Sequence, residues 1–282
     1  MEIIFNNRNN PAYETMFNDL IQDVFGFSFA PWFEHLPWEN CYESHSIVEN
    51  GVMLSNVCVY KADIVINGKG LQAIQLGAVA TRKSARGRGL SRMLMEHILS
   101  LYPNTPVYLY ANPSVVGFYP RFGFKQAPMY KPEIGLKIDN DPAKAIKYNF
   151  DDPSFVSVLN GERCRSNIVD CINSQPIQMF HLMASYSNHI YHLPSLDIVV
   201  IAKQKDKRLL LADVIAKKPV AFELIKQELP FAGVDTVEFG FCPDWLGVEP
   251  TWVLQDTDKE PFFIKGDWDL PEKYRFPVMS ET

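Results

Sequence analysis

Residues 75–99 read QLGAVATRKSARGRGLSRMLMEHIL, an arginine-rich loop with two glycines between a predicted strand and a predicted helix. The helix is indicated by apolar residues at helical spacing, Leu90, Leu94, Ile98 and Leu101. The N-terminus of a helix presents unpaired backbone N–H groups and the positive end of the helix dipole, and glycine lets a ligand approach the backbone closely. The stretch therefore predicts an anion-binding site. Its glycine spacing matches neither a dinucleotide-binding fingerprint nor a P-loop.

Basic residues are concentrated around this loop. The whole chain has 27 basic and 33 acidic residues, a net charge of −6. Residues 1–63 hold nine acids and two bases, whereas residues 64–132 hold nine bases and one acid, Glu96. A basic patch on an acidic protein favours an anion at the patch, although charge alone is equally consistent with a solvated basic face. The acidic total argues against general binding of nucleic acid.

The composition is that of a globular protein. Of 282 residues, 47% are hydrophobic and 13% aromatic, which is enough for a sizeable core and, at this length, for two domains. The longest apolar runs, such as residues 198–202, are far shorter than the roughly 20 residues of a membrane-spanning helix. Residues 1–10 lack the pattern of a secretory signal. We therefore expect a cytoplasmic protein without a membrane span.

The sequence predicts neither a disulfide framework nor a metal site. The five cysteines form no CxxC pair, and we expect them to be reduced thiols. His181, His189 and His192 have no carboxylate or cysteine partner at ligand spacing, so packing or surface roles are expected for them.

Strand and helix patterns predict an α+β protein with two domains. An antiparallel meander begins near Ser46 and leads through the helix and a further strand to the end of a first domain, residues 1–148. The polar segment 137–154 is the predicted linker. Residues 149–282 repeat the order of hairpin, helix and strand in a weaker form, which indicates an internal duplication. This second half lacks the glycine loop and is not predicted to bind the anion.

Two motifs resemble the GNAT N-acetyltransferase superfamily. The family's acetyl-CoA pyrophosphate loop has the pattern R/Q-x-x-G-x-G/A, which residues 86–91, RGRGLS, match except for Ser91 at the last position. Residues 108–124, YLYANPSVVGFYPRFGF, are similar to the family's strand, asparagine, helix and FY..FGF signature. The resemblance implies the acyl-CoA N-acyltransferase (GNAT) fold, a mostly antiparallel twisted sheet flanked by helices, followed here by a second, degenerate GNAT-like domain.

The resemblance also implies an activity, the direct transfer of an acetyl group from acetyl-CoA, as cosubstrate, to an amine. The residues implied to bind acetyl-CoA are Val79, Ala80 and Thr81 along the pantetheine arm, Arg86, Gly87, Arg88, Gly89, Leu90 and Ser91 around the pyrophosphate, with arginine side chains adding charged contacts, and Asn112 beside the arm. Tyr119 matches the general acid that protonates the departing thiolate, and Gly77 matches a bulge whose backbone N–H stabilises the oxyanion. Tyr119 as a core aromatic residue and Gly77 as a packing glycine remain the alternatives.

The acceptor and the general base are less well defined by the sequence. The strand before the loop carries glutamines where some family members have a glutamate. Candidates for the base lie in the early aromatic segment: Glu34, His35, Glu39, Glu43 and His45. The acidic excess of residues 1–63 favours a cationic acceptor, a small-molecule or peptide amine, with apolar or cation–π walls from Trp32, Phe33, Trp38 and Tyr42.

The two-half organisation is distantly similar to the tandem enhanced-intracellular-survival acetyltransferases, in which a second GNAT-like domain has lost cofactor binding. In that group the C-terminal carboxylate can reach the active site as the base, and the corresponding tail here is RFPVMSET, residues 275–282. Two other functions fit the same motifs: a non-catalytic acyl-CoA sensor or partner protein, and a transferase that uses a longer acyl-CoA. No feature of the sequence indicates an oligomer.

Overall fold

The structure, a computed structural model, describes residues 2–5, 10–35, 42–140 and 145–282, without the side chains of residues 34 and 35. The α-helices are α1 (Pro11–Phe25), α2 (Ala30–His35), α3 (Leu90–Leu101), α4 (Pro153–Leu159), α5 (Gln175–His181) and α6 (Phe222–Glu228). The strands are β1 (Glu2–Phe5), β2 (Tyr42–Glu49), β3 (Val52–Ile66), β4 (Lys69–Thr81), β5 (Val107–Tyr110), β6 (Lys125–Ala127), β7 (Tyr130–Ile138), β8 (Ile146–Lys147), β9 (Val169–Cys171), β10 (Ile190–Leu193), β11 (Ile198–Lys205), β12 (Arg208–Ile215), β13 (Val234–Phe239), β14 (Thr251–Leu254) and β15 (Phe262–Lys265).

The strands form two sheets with the same connectivity. The first sheet has the order β1-β2-β3-β4-β5-β15-β6, with β9 beside β3, and the second has the order β14-β7-β13-β12-β11-β10-β8. In each sheet a hairpin is followed by a helix and then by a strand parallel to the second hairpin strand: β4 and β5 around α3, β12 and β13 around α6. The α+β fold predicted from the sequence is confirmed, and the connectivity supports the internal duplication.

The two sheets exchange strands at equivalent positions. Strand β7 lies between β13 and β14 in the second sheet, and β15 lies between β5 and β6 in the first sheet. Each of these two strands is antiparallel to both of its neighbours. A boundary at residue 148 would separate β7, β8, β9 and β15 from the sheets to which they belong. The predicted division into residues 1–148 and 149–282 therefore does not coincide with the division between the sheets.

Helices α1 and α3 pack on opposite faces of the first sheet. The sequence predicts both ends of α1: Pro11 is its first residue, and Gly26 after its last residue has a left-handed φ of +79°. The side chain of Asn10 caps the helix by accepting a bond from the N–H of Ala12 at 3.0 Å. The buried residues of α1 include Phe17, which is fully inaccessible to solvent. This face of the sheet borders the second half of the chain.

The aromatic segment after α1 contains a short helix. Prolines at residues 31 and 37 are typical of an irregular loop, but α2 covers residues 30–35. Pro31 is the second residue of α2, where its missing N–H would be unpaired in any case, so it does not break the helix.

Among the described residues, no helix is long and apolar enough to cross a bilayer.

Because each sheet is completed by a strand from the other half, we expect the two sheets to unfold together. A calorimetric scan of the whole protein should show one transition. Phe263→Ala empties a buried position of β15, which costs about 3–5 kcal/mol, and should lower the temperature of that single transition. Val253→Ala on β14, where the side chain is exposed, is the matched control and should leave it unchanged. Two separated transitions would contradict the expectation.

Candidate active site

The glycine loop borders a cavity of about 610 Å³ at the start of α3. Gly87 and Gly89 have left-handed φ angles of +80° and +76°, and Gly89 is the N-cap of the helix. A Cβ at either glycine would meet nothing within 4 Å, so the space in front of the loop is open. The N–H groups of the first helical turn have no acceptor within the helix. A negative group in this cavity would meet those N–H groups and the positive end of the dipole.

The arginines of the basic patch have different surroundings. Arg86 and Arg92 line the cavity. Arg88, from which the sequence predicts a charged contact with pyrophosphate, instead forms a bidentate pair with Glu49 of β2, with N–O distances of 2.9 and 3.1 Å. Its hydrogen bonds lower the pKa of the Glu49 carboxyl. Arg121, which the motif comparison does not single out, lines the cavity from the opposite wall. Arg86, Arg92 and Arg121 therefore line the cavity, and Arg92 also donates a hydrogen bond to Glu96 at 2.8 Å.

Ser91, at the motif's variable last position, ties the helix to the end of β4. Its hydroxyl lies 2.6 Å from the hydroxyl of Thr81, which lies 2.8 Å from that of Ser55. This chain of hydroxyls fixes the distance between the strand end and the glycine loop. Leu90 is buried in the core, so only its backbone can face the cavity.

Strands β4 and β5 pair over three residues and then separate. Parallel pairing covers residues 74–76 and 107–109. Just beyond, the register of β4 against β3 shifts: Cys58 pairs with Gly77, but Asn56 pairs with Ala80, so β4 holds one extra residue. Ala78, inside this bulge, has a φ of +45°. The Gly77 interpretation as part of a bulge is thus correct as geometry. The separation leaves a groove of about 670 Å³ between the bulged end of β4 and the segment after β5.

A buried polar network holds the bulge in place. The side-chain amide of Asn56, fully buried, donates a hydrogen bond to the carbonyl of Ala78 at 3.2 Å. The Asn56 Oδ1 atom accepts bonds from the hydroxyls of Ser44 at 2.6 Å and Ser46 at 2.8 Å on β2. Because the Ala78 carbonyl is held by Asn56, the bulged peptide cannot rotate freely. Its neighbouring backbone groups thus keep a fixed direction along the groove.

The groove leads past the predicted cofactor and catalytic residues. Val79 and Thr81 line it, whereas the side chain of Ala80 is buried and only its backbone is accessible to a ligand. Asn112 lines it as well, and its Oδ1 atom accepts a bond from the Ser114 N–H at 2.9 Å. Tyr119 closes the far end of the groove. All these residues border one continuous space.

Tyr119 is both a core residue and a lining residue. Its side chain is 4% exposed, and its ring lies 5.5 Å from that of Phe263 on the exchanged strand β15. Burial raises the pKa of the Tyr119 hydroxyl to about 12. The group is therefore protonated at neutral pH. The core interpretation and the acid interpretation are compatible, since packing of the ring is what aims the hydroxyl.

Beyond Tyr119 and the bulge lies an inner pocket of about 340 Å³. We use the name inner pocket for the space bordered by Gly77, Tyr119, Thr282 and aromatic rings from residues 25–42. The tail enters it from the second half of the chain. Gln75 fixes the tail, because its Nε2 donates to the carbonyl of Ser280 at 3.0 Å and its Oε1 accepts from the N–H of Thr282. Gln75, one of the glutamines on the strand where some family members have a glutamate, thus binds the tail.

Gly77 is needed where the tail meets the bulge. A Cβ at this position would overlap the side chain of Thr282. Gly77 therefore belongs to the bulge and also accommodates a close approach. The Thr282 hydroxyl is buried and has no hydrogen-bond partner among the described residues.

Two of the predicted base candidates lie on the wrong side of the sheet. Glu43 and His45 of β2 face α3, whereas their neighbour Tyr42 lines the inner pocket. Burial alone would raise the pKa of Glu43, but hydrogen bonds from His45, Lys61 and Tyr102 lower it to about 2. Consecutive side chains of a strand point to opposite faces of the sheet, so Glu43 lies on the face opposite to Tyr42. Neither residue is available as a base in the pocket.

The other predictions for the early segment have mixed outcomes. Trp32 and Tyr42 line the inner pocket, as expected for its walls. Phe33 packs on Phe17, with ring centres 5.9 Å apart. Glu39 and Trp38 lie outside the described residues, as do the side chains of Glu34 and His35.

Comparison with known families identifies the first part of the chain. Residues 8–127 match the family model described as "Acetyltransferase (GNAT) domain". These residues contain the glycine loop, the bulge and Tyr119. This part of the chain therefore contains a GNAT acetyltransferase domain, and the fold is the GNAT fold predicted from the two motifs.

Solved structures with the same fold cover nearly the whole chain. The probable N-acyltransferase from Enterococcus faecalis V583 is 14% identical with a TM-score of 0.59, over 93% of this chain and 72% of that one. A GCN5-related N-acetyltransferase from Anabaena variabilis is 12% identical with a TM-score of 0.56, over 93% and 72%. Eis1 from Mycobacterium abscessus is 13% identical with a TM-score of 0.54, over 94% and 73%. Comparison with curated proteins gave no match. At such identities the likeness extends to the fold, including its tandem arrangement.

The different surroundings of the two loop arginines give a direct test of the anion site. We expect Arg86→Ala to weaken acetyl-CoA binding about tenfold, because a charge-assisted hydrogen bond contributes roughly 1.5–3 kcal/mol. Arg88→Ala is the matched control, and we expect a smaller effect because its guanidinium is paired with Glu49. Calorimetric titration at two salt concentrations measures both, and the Arg86 effect should shrink at high salt. Equal losses in the two variants would contradict the assignment.

Proposed function

We propose that the protein is an N-acetyltransferase that moves an acetyl group from acetyl-CoA to a primary amine, with one active site on the first sheet. The observation that carries the proposal is a continuous path from an anion site to a closed pocket. The cavity at the glycine loop shares Arg86 with the groove, and the groove shares Val79 and Tyr119 with the inner pocket. A molecule with a pyrophosphate at one end and a thioester at the other matches this path in chemistry and in order.

The path suggests how acetyl-CoA is held. The backbone N–H groups of residues 86–91 would bind the pyrophosphate, with the guanidinium groups of Arg86 and Arg121 beside it. The free edge of β4 at residues 79–81 would pair with the pantetheine amides as an added strand does. Asn112 would contact the same arm from the opposite side. The second half has no corresponding loop: Lys217 and Lys218 precede Pro219 and α6.

The proposed chemistry is attack of the neutral amine on the thioester carbon. The new C–N bond forms while the carbonyl oxygen becomes an oxyanion, and a backbone N–H of the bulge near Ala78 donates to it. When the intermediate collapses, the C–S bond breaks and the Tyr119 hydroxyl protonates the thiolate. The second proton of the amine passes to a base, and the tyrosinate regains its own proton from solvent. With a pKa of about 12, the Tyr119 hydroxyl is still protonated at neutral pH when the C–S bond breaks.

We further propose that the tail takes part in removing the amine proton. Thr282 lies on the bulge, beside the place where the thioester carbon would lie, and Gln75 holds its backbone there. In a chain whose last residue is Thr282, its α-carboxylate is the basic group at this position. Residues 43 and 45 face the other side of the sheet, so neither can be this base.

The acid assignment can be tested at a single hydroxyl. We expect Tyr119→Phe to lower kcat by roughly 10²-fold with little change in the KM for acetyl-CoA, because the hydroxyl acts only on the leaving group. Tyr110→Phe in the same pocket is the matched control and should keep its kcat. The pKa of about 12 predicts that loss of the Tyr119 proton does not reduce kcat up to about pH 10.

Equal turnover by the Tyr119→Phe variant would remove the assigned role. If the wild type bound acetyl-CoA but transferred its acetyl group to no amine, the protein would be an acyl-CoA sensor on a GNAT fold. These two results are distinguishable, because the first retains turnover and the second has none.

The role of the tail can be tested without removing it. Gly77→Ala places a methyl group where Thr282 packs, so we expect the tail to shift and kcat to fall at least tenfold, with acetyl-CoA binding retained. Gly70→Ala, on the same strand with nothing within 4 Å of its Cβ position, is the matched control. Steady-state rates and calorimetric titration measure both quantities. Unchanged kcat in Gly77→Ala would show that the tail has no part in turnover.

A further inference from the structure

We propose that the acceptor is a monoamine with an apolar, aromatic or branched-alkyl body, and that the second half of the chain selects it through Phe180. This inference rests on the proposed acetyltransferase function and specifies its substrate class. It differs from the cationic acceptor that the charge of residues 1–63 suggests.

The walls of the inner pocket are apolar. Aromatic rings surround it, contributed by the end of α1, the segment after it, α2 and β2: Phe25, Phe27, Phe29, Trp32 and Tyr42. Hydrophilic groups occur at one end, where Asn112, Tyr119 and Thr282 border the pocket beside the bulge. A ligand with one amine and an apolar body matches this distribution, with the amine toward the bulge and the body among the rings.

No Asp or Glu side chain lines the described walls of the inner pocket. Among the described acids of the first 63 residues, three are close to a basic side chain: Glu49 binds Arg88, Glu43 binds Lys61, and Asp23 lies 3.9 Å from Arg82. If a polycation entered this pocket, its distal charges would lose their hydration without gaining partners, and such desolvation costs free energy. An apolar wall also lowers the pKa of a buried amine, so a monoamine would be present in the neutral form that attacks the thioester.

Phe180 closes the pocket from the second half of the chain. It lies on α5, and its ring centre is 5.0 Å from that of Phe29 and 5.9 Å from that of Phe27. The indole N–H of Trp32 donates to the carbonyl of Pro176 on the same helix at 2.9 Å, which fastens α2 to α5. Phe180 therefore contacts the space that the acceptor body would occupy, while it is remote from the glycine loop. Replacing Phe180 should therefore change the binding of the acceptor and not the binding of acetyl-CoA.

The pocket volume also favours a small acceptor. About 340 Å³ is near the lower end of the range for ligand pockets, roughly 300–1,000 Å³. Such a space holds one ring system with a short chain beside the acetyl group. A multi-ring amino sugar would exceed it.

The test compares three acceptors with acetyl-CoA as donor: 2-phenylethylamine, spermidine and the aminoglycoside kanamycin. We expect kcat/KM for 2-phenylethylamine to exceed that for the other two at least 30-fold, the effect of burying one aromatic ring. Phe180→Ala should raise the KM for 2-phenylethylamine about tenfold and leave the KM for acetyl-CoA unchanged. Phe180→Glu adds a carboxylate to the wall and should raise kcat/KM for spermidine. Leu224→Ala, at an exposed position of α6, is the control and should change neither.

Three outcomes would overturn the inference. Preference of the wild type for spermidine or kanamycin would reject the apolar acceptor while leaving the transferase function intact. If Phe180→Ala changed the use of octanoyl-CoA relative to acetyl-CoA but not the KM for the amine, the rings would hold an acyl chain instead. If the wild type acetylated none of the amines although titration showed acetyl-CoA binding, the proposed function itself would fail, and the inference with it.

Discussion

The separation of β4 from β5 is the constraint on which the whole site depends. Two parallel strands that stop pairing leave unsatisfied backbone groups, and those groups need new partners. On β4 one partner is provided inside the protein, because Asn56 binds the carbonyl of Ala78. The remaining edge, residues 79–81, faces a groove that a ligand with amide groups can fill. The buried side of the bulge is thus satisfied by the fold, and the open side is left for the cofactor.

The two halves of the chain are also interlocked at β5. One edge of β5 pairs with β4, and β15 from the second half covers its other edge. The first half provides β7 for the equivalent gap in the second sheet. Phe263 of β15 packs against the ring of Tyr119, so the exchanged strand also supports the proposed acid. The geometry of the first site consequently depends on correct folding of the second half.

The fold and the position of the glycine loop before α3 were largely predictable from the sequence, because their signals are local. A glycine loop before a helix, a proline at the start of α1 and a periodic apolar face each need only neighbouring residues. Long-range features were not predictable in this way. No local pattern shows that β15 leaves the second half, that Arg88 binds Glu49, or that Gln75 binds the tail across 207 positions in the chain.

The residues on the acceptor side of the site could not be predicted in this way, for a related physical reason. A net charge of a segment does not say which way its side chains point. The alternation of β2 places Glu43 and His45 toward α3 and Tyr42 toward the pocket, so Tyr42 lines the pocket as predicted and the two base candidates do not. A shift of one residue in that strand would have reversed both results.

The arrangement also accounts for a second GNAT-like half without a cofactor loop. If the second half had no role in the site, none of its residues would be expected to border the site. It contributes three separate parts instead: β15 under Tyr119, Phe180 in the pocket wall, and Thr282 on the bulge. Phe180 packs on the α1 side of the first sheet, whereas β15 lies within the sheet and its Phe263 packs in the core on the α3 side. Since the cofactor would bind wholly to residues of the first half, the second half does not need cofactor-binding residues of its own. Changes in it can alter the acceptor pocket without affecting the cofactor path, so the half that lost the loop is the half suited to determine the acceptor.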